Sequence, residues 1–240
     1  MAEESRRERF LRSHWDPASA EVTEAWKQKR RLAAAMRLVI ERLVASNAPE
    51  DELRRAAEQL ERYAEHLATH PRLRHFQGYA ESANAGDVGA FFDQSPLIGL
   101  ANPLAPPIRI AKTGERTAEG RATFGSAYEG PPGCVHGGFI AAAFDEVLGF
   151  VQSLSGAGGF TGTLTVRYRV PTPLHVELRF SAAIDRIEGR KIFASGRLHA
   201  GETLCAEAEG IFIGGKPEKF TALLEKRAHW ESERAGGSEG

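Results

Sequence analysis

Apolar residues recur at intervals of three and four in two stretches of the first seventy positions. Between about residues 19 and 45 they follow the period of one helix face, at Leu32, Met36, Val39 and Leu43. A second stretch starts after Pro49, a residue suited to a first helical turn, and runs to Pro71. Its apolar positions are Leu53, Ala57, Leu60, Ala64 and Leu67. The pattern predicts an N-terminal helical hairpin, to which we assign residues 1–76.

The second half of the chain changes to an alternation of apolar and polar residues. Six short segments show it, each bounded by glycine, proline or charged turns, which is typical of β-strands. The segments are 108–112, 121–128, 163–170, 175–187, 191–199 and 203–213.

Only one helix fits among these strands, at about residues 136–154, and it is apolar on every side, which predicts that it is buried. Two strands, one helix and four further strands exclude a doubly wound parallel sheet. They favour an α+β fold in which an antiparallel sheet wraps around one central helix. We assign this domain to residues 108–215, a linker or covering loop to 77–107 and a C-terminal tail to 216–240.

Composition and charge exclude several classes of protein. With 42% hydrophobic and 26% charged residues, the chain of 240 residues can bury a core. A net charge of −1 gives no overall attraction to nucleic acid, and the basic cluster 27–31 lacks interleaved aromatic residues and is interpreted as a solvated face. With neither a signal-like segment nor a long apolar run, we expect no membrane insertion and a cytoplasmic location.

The cysteines and histidines give no sign of a metal or cofactor site. Cys134 and Cys205 lack a paired spacing, and Cys134 is interpreted as a small apolar filler because no group to activate it is evident. His66, His70 and His75 are interpreted as surface residues, since no carboxylate completes a ligand set. We therefore predict neither a metal nor a cofactor.

The start of the central helix is a candidate site for acyl-transfer chemistry. Gly137 and Gly138 lie in its first turn, where N–H groups lack helical partners and the helix dipole is positive. Such amides can stabilise the oxyanion of a tetrahedral intermediate. The alternative is that both glycines only permit a tight turn from strand to helix.

Two carboxylates, Asp145 and Glu146, interrupt the same apolar helix. Burying a carboxylate is costly unless it is paired or used, so we expect a task for at least one, and we place Glu146 at the rim of the sheet. Asp145 follows Gly138 by seven residues, about 10 Å along a helix, too far to share one site within a chain. A two-fold dimer would bring Asp145 opposite the glycines of its partner.

Residues 135–149, VHGGFIAAAFDEVLG, resemble the His-Gly-Gly and downstream Asp-x-x-x-Gly pattern of PaaI-like hotdog-fold thioesterases. Residues 161–174, TGTLTVRYRVPTPL, are similar to the third strand of that family. The resemblance covers about residues 101–213 and implies a hotdog fold.

The resemblance also implies an acyl-CoA substrate and a homodimer, often paired again into a dimer of dimers. Asp145 would be the general base or nucleophile, and an amide of Gly137 or Gly138 the oxyanion donor. His136 would be an orienting neighbour, and the Thr161 hydroxyl would position water or the carboxylate. Many relatives carry an asparagine several residues before the histidine; here Asn102 is the expected substitute.

Two strand residues, Arg167 and Arg169, point to the same face and would either meet the phosphates of CoA or form a solvated face. An alternative to hydrolysis is a hotdog protein that binds acyl-CoA or a partner protein through the hairpin without turnover. A hotdog dehydratase, with His136 as base, fits the Asp145 and Thr161 pairing less well.

Overall fold

Two helices open the part of the chain that the computed structural model describes, which comprises residues 23–70, 93–156 and 159–214. Helix α1 spans Glu24–Val44 and helix α2 spans Glu50–Ala68. Thr23 caps α1 by accepting the N–H of Trp26 at 3.3 Å, which satisfies one of the donors that a helix start leaves free. Both predicted helices are confirmed.

The remaining elements form one antiparallel sheet and one helix. The strands are β1 (Arg109–Gly114), β2 (Thr117–Thr123), β3 (Gly159–Tyr168), β4 (Glu177–Glu188), β5 (Lys191–Ala200) and β6 (Thr203–Gly214), and helix α3 is Gly137–Ser153. The order across the sheet is β1-β2-β4-β5-β6-β3, with every neighbouring pair antiparallel. This confirms the predicted α+β fold.

The core lies between α3 and one face of the sheet. Phe144 and Leu148 of α3 are fully buried together with Phe180 of β4 and Phe212 of β6, and the rings of Phe144 and Phe180 meet edge to face at 5.4 Å. Burying side chains of this size contributes roughly 1.5–3 kcal/mol each. The helix is therefore fixed against the sheet, and so are the polar groups at its start and along its exposed side.

Two predicted strands differ from the structure by several residues at an end, since the strand expected over 163–170 begins at Gly159 and the second predicted strand ends early. We expected a strand over 121–128, whereas β2 ends at Thr123 and Ser126–Tyr128 form a 3₁₀ turn. The reason lies far away in sequence, because the N–H groups of Ser126 and Ala127 donate to the Glu41 carboxylate of α1 instead of to a neighbouring strand.

Helix α1 packs on the domain with a largely polar face. The partly or fully buried positions of α1 include one row at helical spacing, formed by Trp26, Arg30, Ala33, Arg37 and Glu41, and also Lys29 and Leu32. The apolar residues at Met36, Val39 and Leu43 are exposed instead. Helix α2 has no buried residue in the described part of the chain.

The segment that precedes β1 covers one side of the core. Asp93, Ser95, Ala101 and Ala105 are buried there, and Arg37 of α1 donates to the carbonyls of Leu100 and Asn102 at 3.2 and 2.8 Å. We name residues 93–107 the covering loop.

Among the helices of the described ranges, none has the length and apolar character needed to cross a membrane.

Candidate functional site

The start of α3 is shaped by the His136 side chain. His136 is the N-cap, and its Nδ1 accepts the N–H of Gly138 at 3.0 Å, so this ring nitrogen carries no proton. The backbone N–H of His136 donates to the carbonyl of Tyr128 at 2.9 Å. A side chain on Gly130 would collide with His136, which explains the glycine at that position.

The amide of Gly137 remains open. Within the described residues its N–H makes no hydrogen bond, whereas its carbonyl accepts the hydroxyl of Tyr168 at 2.8 Å. One free donor therefore stands at the positive end of the α3 dipole. Such a donor can hold an oxyanion that a substrate brings into its reach.

Asp145 is exposed and held by a neighbouring strand. The Thr161 hydroxyl donates to Asp145 Oδ1 at 2.7 Å. This bond fixes one carboxylate oxygen and leaves the other facing outward. Removing it would free the Asp145 rotamer, which matters for a group that must meet a reacting atom.

A β-bulge puts Thr161 on the α3 side of β3. Leu164 and Val166 pack against the core, so alternation alone would turn odd-numbered positions outward. The register of β3 against β6 shifts between Thr161 and Thr163, and the extra residue, Gly162, reverses the alternation. A side chain on Gly162 would press against Ile213 at 3.1 Å.

The two halves of the site are far apart within one chain. Gly137 and Asp145 lie eight residues apart on α3, which corresponds to about 12 Å. A thioester carbonyl held by the Gly137 amide is therefore out of reach of Asp145 of the same protomer.

Glu146, which we placed at the rim of the sheet, is half-buried on α3. Burial together with the nearby charge of Asp145 raises the pKa of Glu146 to about 7, although the nearby Ser95 of the covering loop acts in the opposite direction. A carboxyl with this pKa changes its charge near neutral pH.

The other predicted site residues lie elsewhere. Arg167 and Arg169 pair with Glu209 and Glu207 of β6 at 2.6 and 2.7 Å. They line a broad groove of about 1050 Å³ on the sheet face that turns away from α3. The Asn102 amide serves the covering loop, since its Nδ2 donates to the Gln94 carbonyl and its Oδ1 accepts the N–H of Leu104.

Tyr168 was not identified from the sequence as a residue that contacts the start of α3, and Arg30 was wrongly assigned to a solvated face. Tyr168 has the same parity along β3 as Leu164 and Val166, which was the available signal that it faces α3. Arg30, interpreted as part of a solvated face, binds the buried Asp93, to which Trp26 Nε1 also donates.

The remaining candidates are unremarkable in the described residues. Cys134 and Cys205 are free thiols, and no three His, Cys, Asp or Glu side chains of residues 23–70, 93–156 and 159–214 gather as metal ligands would. His66 and His70 are exposed on or just after α2, and His75 lies outside the described residues.

Comparisons with known proteins agree with this geometry. Residues 132–207 match the family model described as Thioesterase superfamily. Acyl-coenzyme A thioesterase THEM4 of Xenopus laevis is 38% identical over 91 residues, which cover 37% of this chain and 41% of that protein. Acyl-coenzyme A thioesterase THEM5 of Homo sapiens is 35% identical over 91 residues, 37% of each chain. The match therefore spans about two fifths of the length of these curated relatives.

A solved structure extends the likeness beyond that segment. A crystal structure of a thioesterase superfamily protein superposes with a TM-score of 0.68 at 30% identity, covering 77% of this chain and 94% of the other. Because 77% of this chain is more residues than lie between position 71 and its end, the superposed part must include residues before position 71. The likeness therefore includes part of the N-terminal region. The chain belongs to the thioesterase superfamily.

Proposed function

We propose that the chain is an acyl-CoA thioesterase that acts as a homodimer, with Asp145 of one protomer and the helix-start amide of the other in each site. The hydrogen bond from Thr161 to Asp145 carries this proposal, because it fixes a carboxylate that otherwise has no structural task. The THEM4 and THEM5 relatives are named acyl-coenzyme A thioesterases, which agrees with an acyl-CoA substrate.

The position of β3 supports a site composed from two protomers. β3 ends the strand order, so among the strands of the described residues only β6 lies next to it. A strand at the end of a sheet can receive a further strand on its other side. Thr161 near the start of β3 holds Asp145, while Tyr168 at its end holds Gly137.

Two antiparallel copies of β3 side by side would place the start of one strand next to the end of the other. Adjacent strands lie about 5 Å apart. Asp145 with Thr161 would thus face Tyr168 and Gly137 of the partner subunit. The distance of about 12 Å between Asp145 and Gly137 along one α3 helix, at about 1.5 Å per residue, would then no longer separate the two groups of one site. The two-fold axis creates two equal sites.

The chemistry follows from these placements. As the oxygen of a water molecule attacks the thioester carbon, Asp145 takes one of its protons. The charge that develops on the carbonyl oxygen is held by the partner's Gly137 N–H. When the C–S bond breaks, the CoA thiolate leaves and is protonated, and the free acid remains.

Direct attack by Asp145 is the other route. The carboxylate would form an anhydride with the acyl group and release CoA before water enters. Thr161 serves both routes in the same way, because it leaves one oxygen of Asp145 open. His136 contributes by capping α3 through Nδ1, which keeps the N–H of Gly138 occupied and that of Gly137 available.

The test is CoA release by Asp145→Asn, followed with a thiol reagent. We expect turnover to fall by roughly 10²–10⁴-fold, with the dimer intact by light scattering. The matched control is Asp185→Asn, whose exposed carboxylate accepts from Ser195 on the far face of the sheet, and it should keep full activity. Near wild-type turnover in Asp145→Asn would remove this residue from the mechanism.

A panel of short, medium, long and aromatic acyl-CoA substrates separates hydrolysis from binding alone. A thioesterase releases CoA from at least one of them. Saturable binding of acyl-CoA without release from any substrate would instead identify a binding protein and reject the proposal.

A further inference from the structure

Helix α1 lies far outside the segment 132–207 that the family model matches, yet it contacts the turn before α3 and the covering loop, which lie next to the candidate site. The hydrogen bonds and ion pairs of α1 with the rest of the domain come from charged and polar side chains. Their partners include backbone groups and one buried carboxylate. Contacts of this kind fix positions more narrowly than apolar packing does, because hydrogen bonds require a set distance and direction.

Glu41 holds the turn before α3. Its two carboxylate oxygens accept the N–H groups of Ser126 and Ala127 at 2.9 and 3.3 Å. A side chain on Gly125 would collide with this carboxylate. Burial alone would raise the pKa of Glu41, but the bonds from Ser126 and Ala127 and the nearby His175 lower it below its ordinary value, so the group is ionised at neutral pH.

The Ser126–Tyr128 turn, which binds Glu41, also binds His136, the N-cap of α3. The carbonyl of Tyr128, the last residue of the turn, accepts the backbone N–H of His136 at 2.9 Å. The Tyr128 ring also packs edge to face on Phe139, with centroids 4.9 Å apart. His136 Nδ1 then accepts the N–H of Gly138, which leaves Gly137 as the free donor.

The same helix holds the loop above the carboxylate half. Arg30 and Trp26 both bind Oδ2 of the buried Asp93, at the start of the covering loop. Two residues further on, Ser95 lies near enough to Glu146, the neighbour of Asp145 on α3, to lower the pKa of that carboxyl.

From these contacts we propose that α1 is a positioning element of the active site and that Glu41 is the positioning residue for its oxyanion half. Glu41 touches no reacting atom. It fixes the Ser126–Tyr128 turn, and the turn fixes the direction of the α3 amides. The expected effect on kcat rests on the proposed thioesterase function. The structural coupling between Glu41 and the start of α3 can be tested separately.

The experiment compares Glu41→Ala and Glu41→Gln with the wild-type chain. Without Glu41 we expect kcat for acyl-CoA hydrolysis to fall roughly tenfold to hundredfold, as small misplacements of catalytic groups do, while KM changes by less than about twofold since no substrate contact is lost. Glu41→Gln keeps one acceptor oxygen and should give an intermediate loss. The matched control is Glu58→Ala on α2, an exposed residue paired only with Arg54 among described residues, which should leave kcat unchanged.

Amide hydrogen exchange supplies a readout that does not need activity. We expect the amides of His136 and Gly138 to exchange about tenfold faster in Glu41→Ala, together with those of Ser126 and Ala127. A merely structural Glu41 would lower the unfolding temperature but leave kcat and the exchange at His136 and Gly138 unchanged, and this result would overturn the inference. If the wild-type chain releases no CoA from any substrate, the thioesterase proposal fails, and exchange at these two amides alone decides whether the coupling exists.

Discussion

Two adjacent carboxylates of α3 have different surroundings. Asp145 is exposed and receives one hydrogen bond from Thr161. Glu146 is half-buried, and burial raises its pKa to about 7. Adjacent helix positions point about 100° apart, which is enough to give the two carboxylates different surroundings.

The raised pKa of Glu146 predicts how stability depends on pH. The folded chain binds this proton more tightly than the unfolded chain, in which the pKa of a glutamate is near its ordinary value of 4.5. The stabilisation is complete below about pH 4.5 and is lost as pH rises through 7, a total of roughly 3 kcal/mol at about 1.4 kcal/mol per pKa unit. Glu146→Gln should therefore have a higher unfolding temperature than wild type at pH 8 and a similar one at pH 4.5.

Thermal unfolding from pH 4 to 8 checks this expectation. The control is Glu188→Gln, an exposed carboxylate paired with Arg186, which should follow the wild-type curve. Parallel curves for Glu146→Gln and wild type would show that burial does not perturb Glu146.

At the residue scale, the sequence was sufficient to identify those candidate site residues that are close together along one helix or strand. The His-Gly-Gly start of α3 and the distance to Asp145 could be read from helix geometry, and the role of Thr161 from the family resemblance. The raised pKa of Glu146 could not, because it depends mainly on burial, which the folded chain sets and the local sequence does not.

At the scale of elements, α1 shows what periodicity can and cannot predict. Its spacing correctly predicted a helix, but the apolar face is exposed and the polar face is docked. The docking face is chosen by Asp93, by carbonyls of the covering loop and by amides of the Ser126–Tyr128 turn. These partners are more than fifty residues away, so no local pattern could reveal them.

The Asp93 contact is predicted to be the main anchor of α1. Asp93 is 2% exposed and binds the Arg30 side chain, itself 19% exposed. Removing one partner of a buried pair leaves an uncompensated charge and costs about 3–5 kcal/mol. We expect Asp93→Ala to lower the free energy of unfolding by about this amount in urea denaturation.

A surface pair on the same helix provides the control for that measurement. Glu24→Gln removes an exposed ion pair with Lys27 and should leave the midpoint of urea unfolding nearly unchanged, because solvent screens such a pair. Equal losses for the Asp93 and Glu24 variants would show that the first contact is no anchor.

For the whole molecule, the proposed composite site predicts how a variant of its oxyanion half behaves alone and in a mixed dimer. Gly137 is the first residue of α3, a position that tolerates proline. Gly137→Pro thus removes the proposed oxyanion donor, and we expect a loss of roughly 10²–10³-fold in kcat. Gly137→Ala adds a Cβ at a similar place, 3.3 Å from Tyr168, but keeps the N–H and should retain most activity.

Mixed dimers of Gly137→Pro and Asp145→Asn should regain activity. In such a dimer one site carries both lesions and the other carries neither, so about half of the wild-type turnover per dimer is expected. Co-expression with two affinity tags isolates the mixed species. Mixed dimers as inactive as the two parents would place both halves of the site within one protomer.

The fold as a whole was predictable from the sequence because its signals are strong and local. Six alternating segments and one helix apolar on all sides leave few arrangements. The strand order was not read from the sequence, and it places β3, which binds Asp145 through Thr161 and Gly137 through Tyr168, at the end of the described sheet.

The bulge at Gly162 makes the candidate site sensitive to the number of residues in β3 as well as to their identity. Substitutions at neighbouring positions leave the count unchanged and keep Thr161 on the side of α3. Loss of this one residue would restore uninterrupted alternation and turn Thr161 to the opposite face of the sheet, although every other side chain were retained. In an alignment of related chains, the number of residues between the positions of Thr161 and Tyr168 should therefore be compared as well as their identity. A threonine that aligns with Thr161 but lacks the extra residue of the bulge would point to the other face of the sheet and could not reach its aspartate.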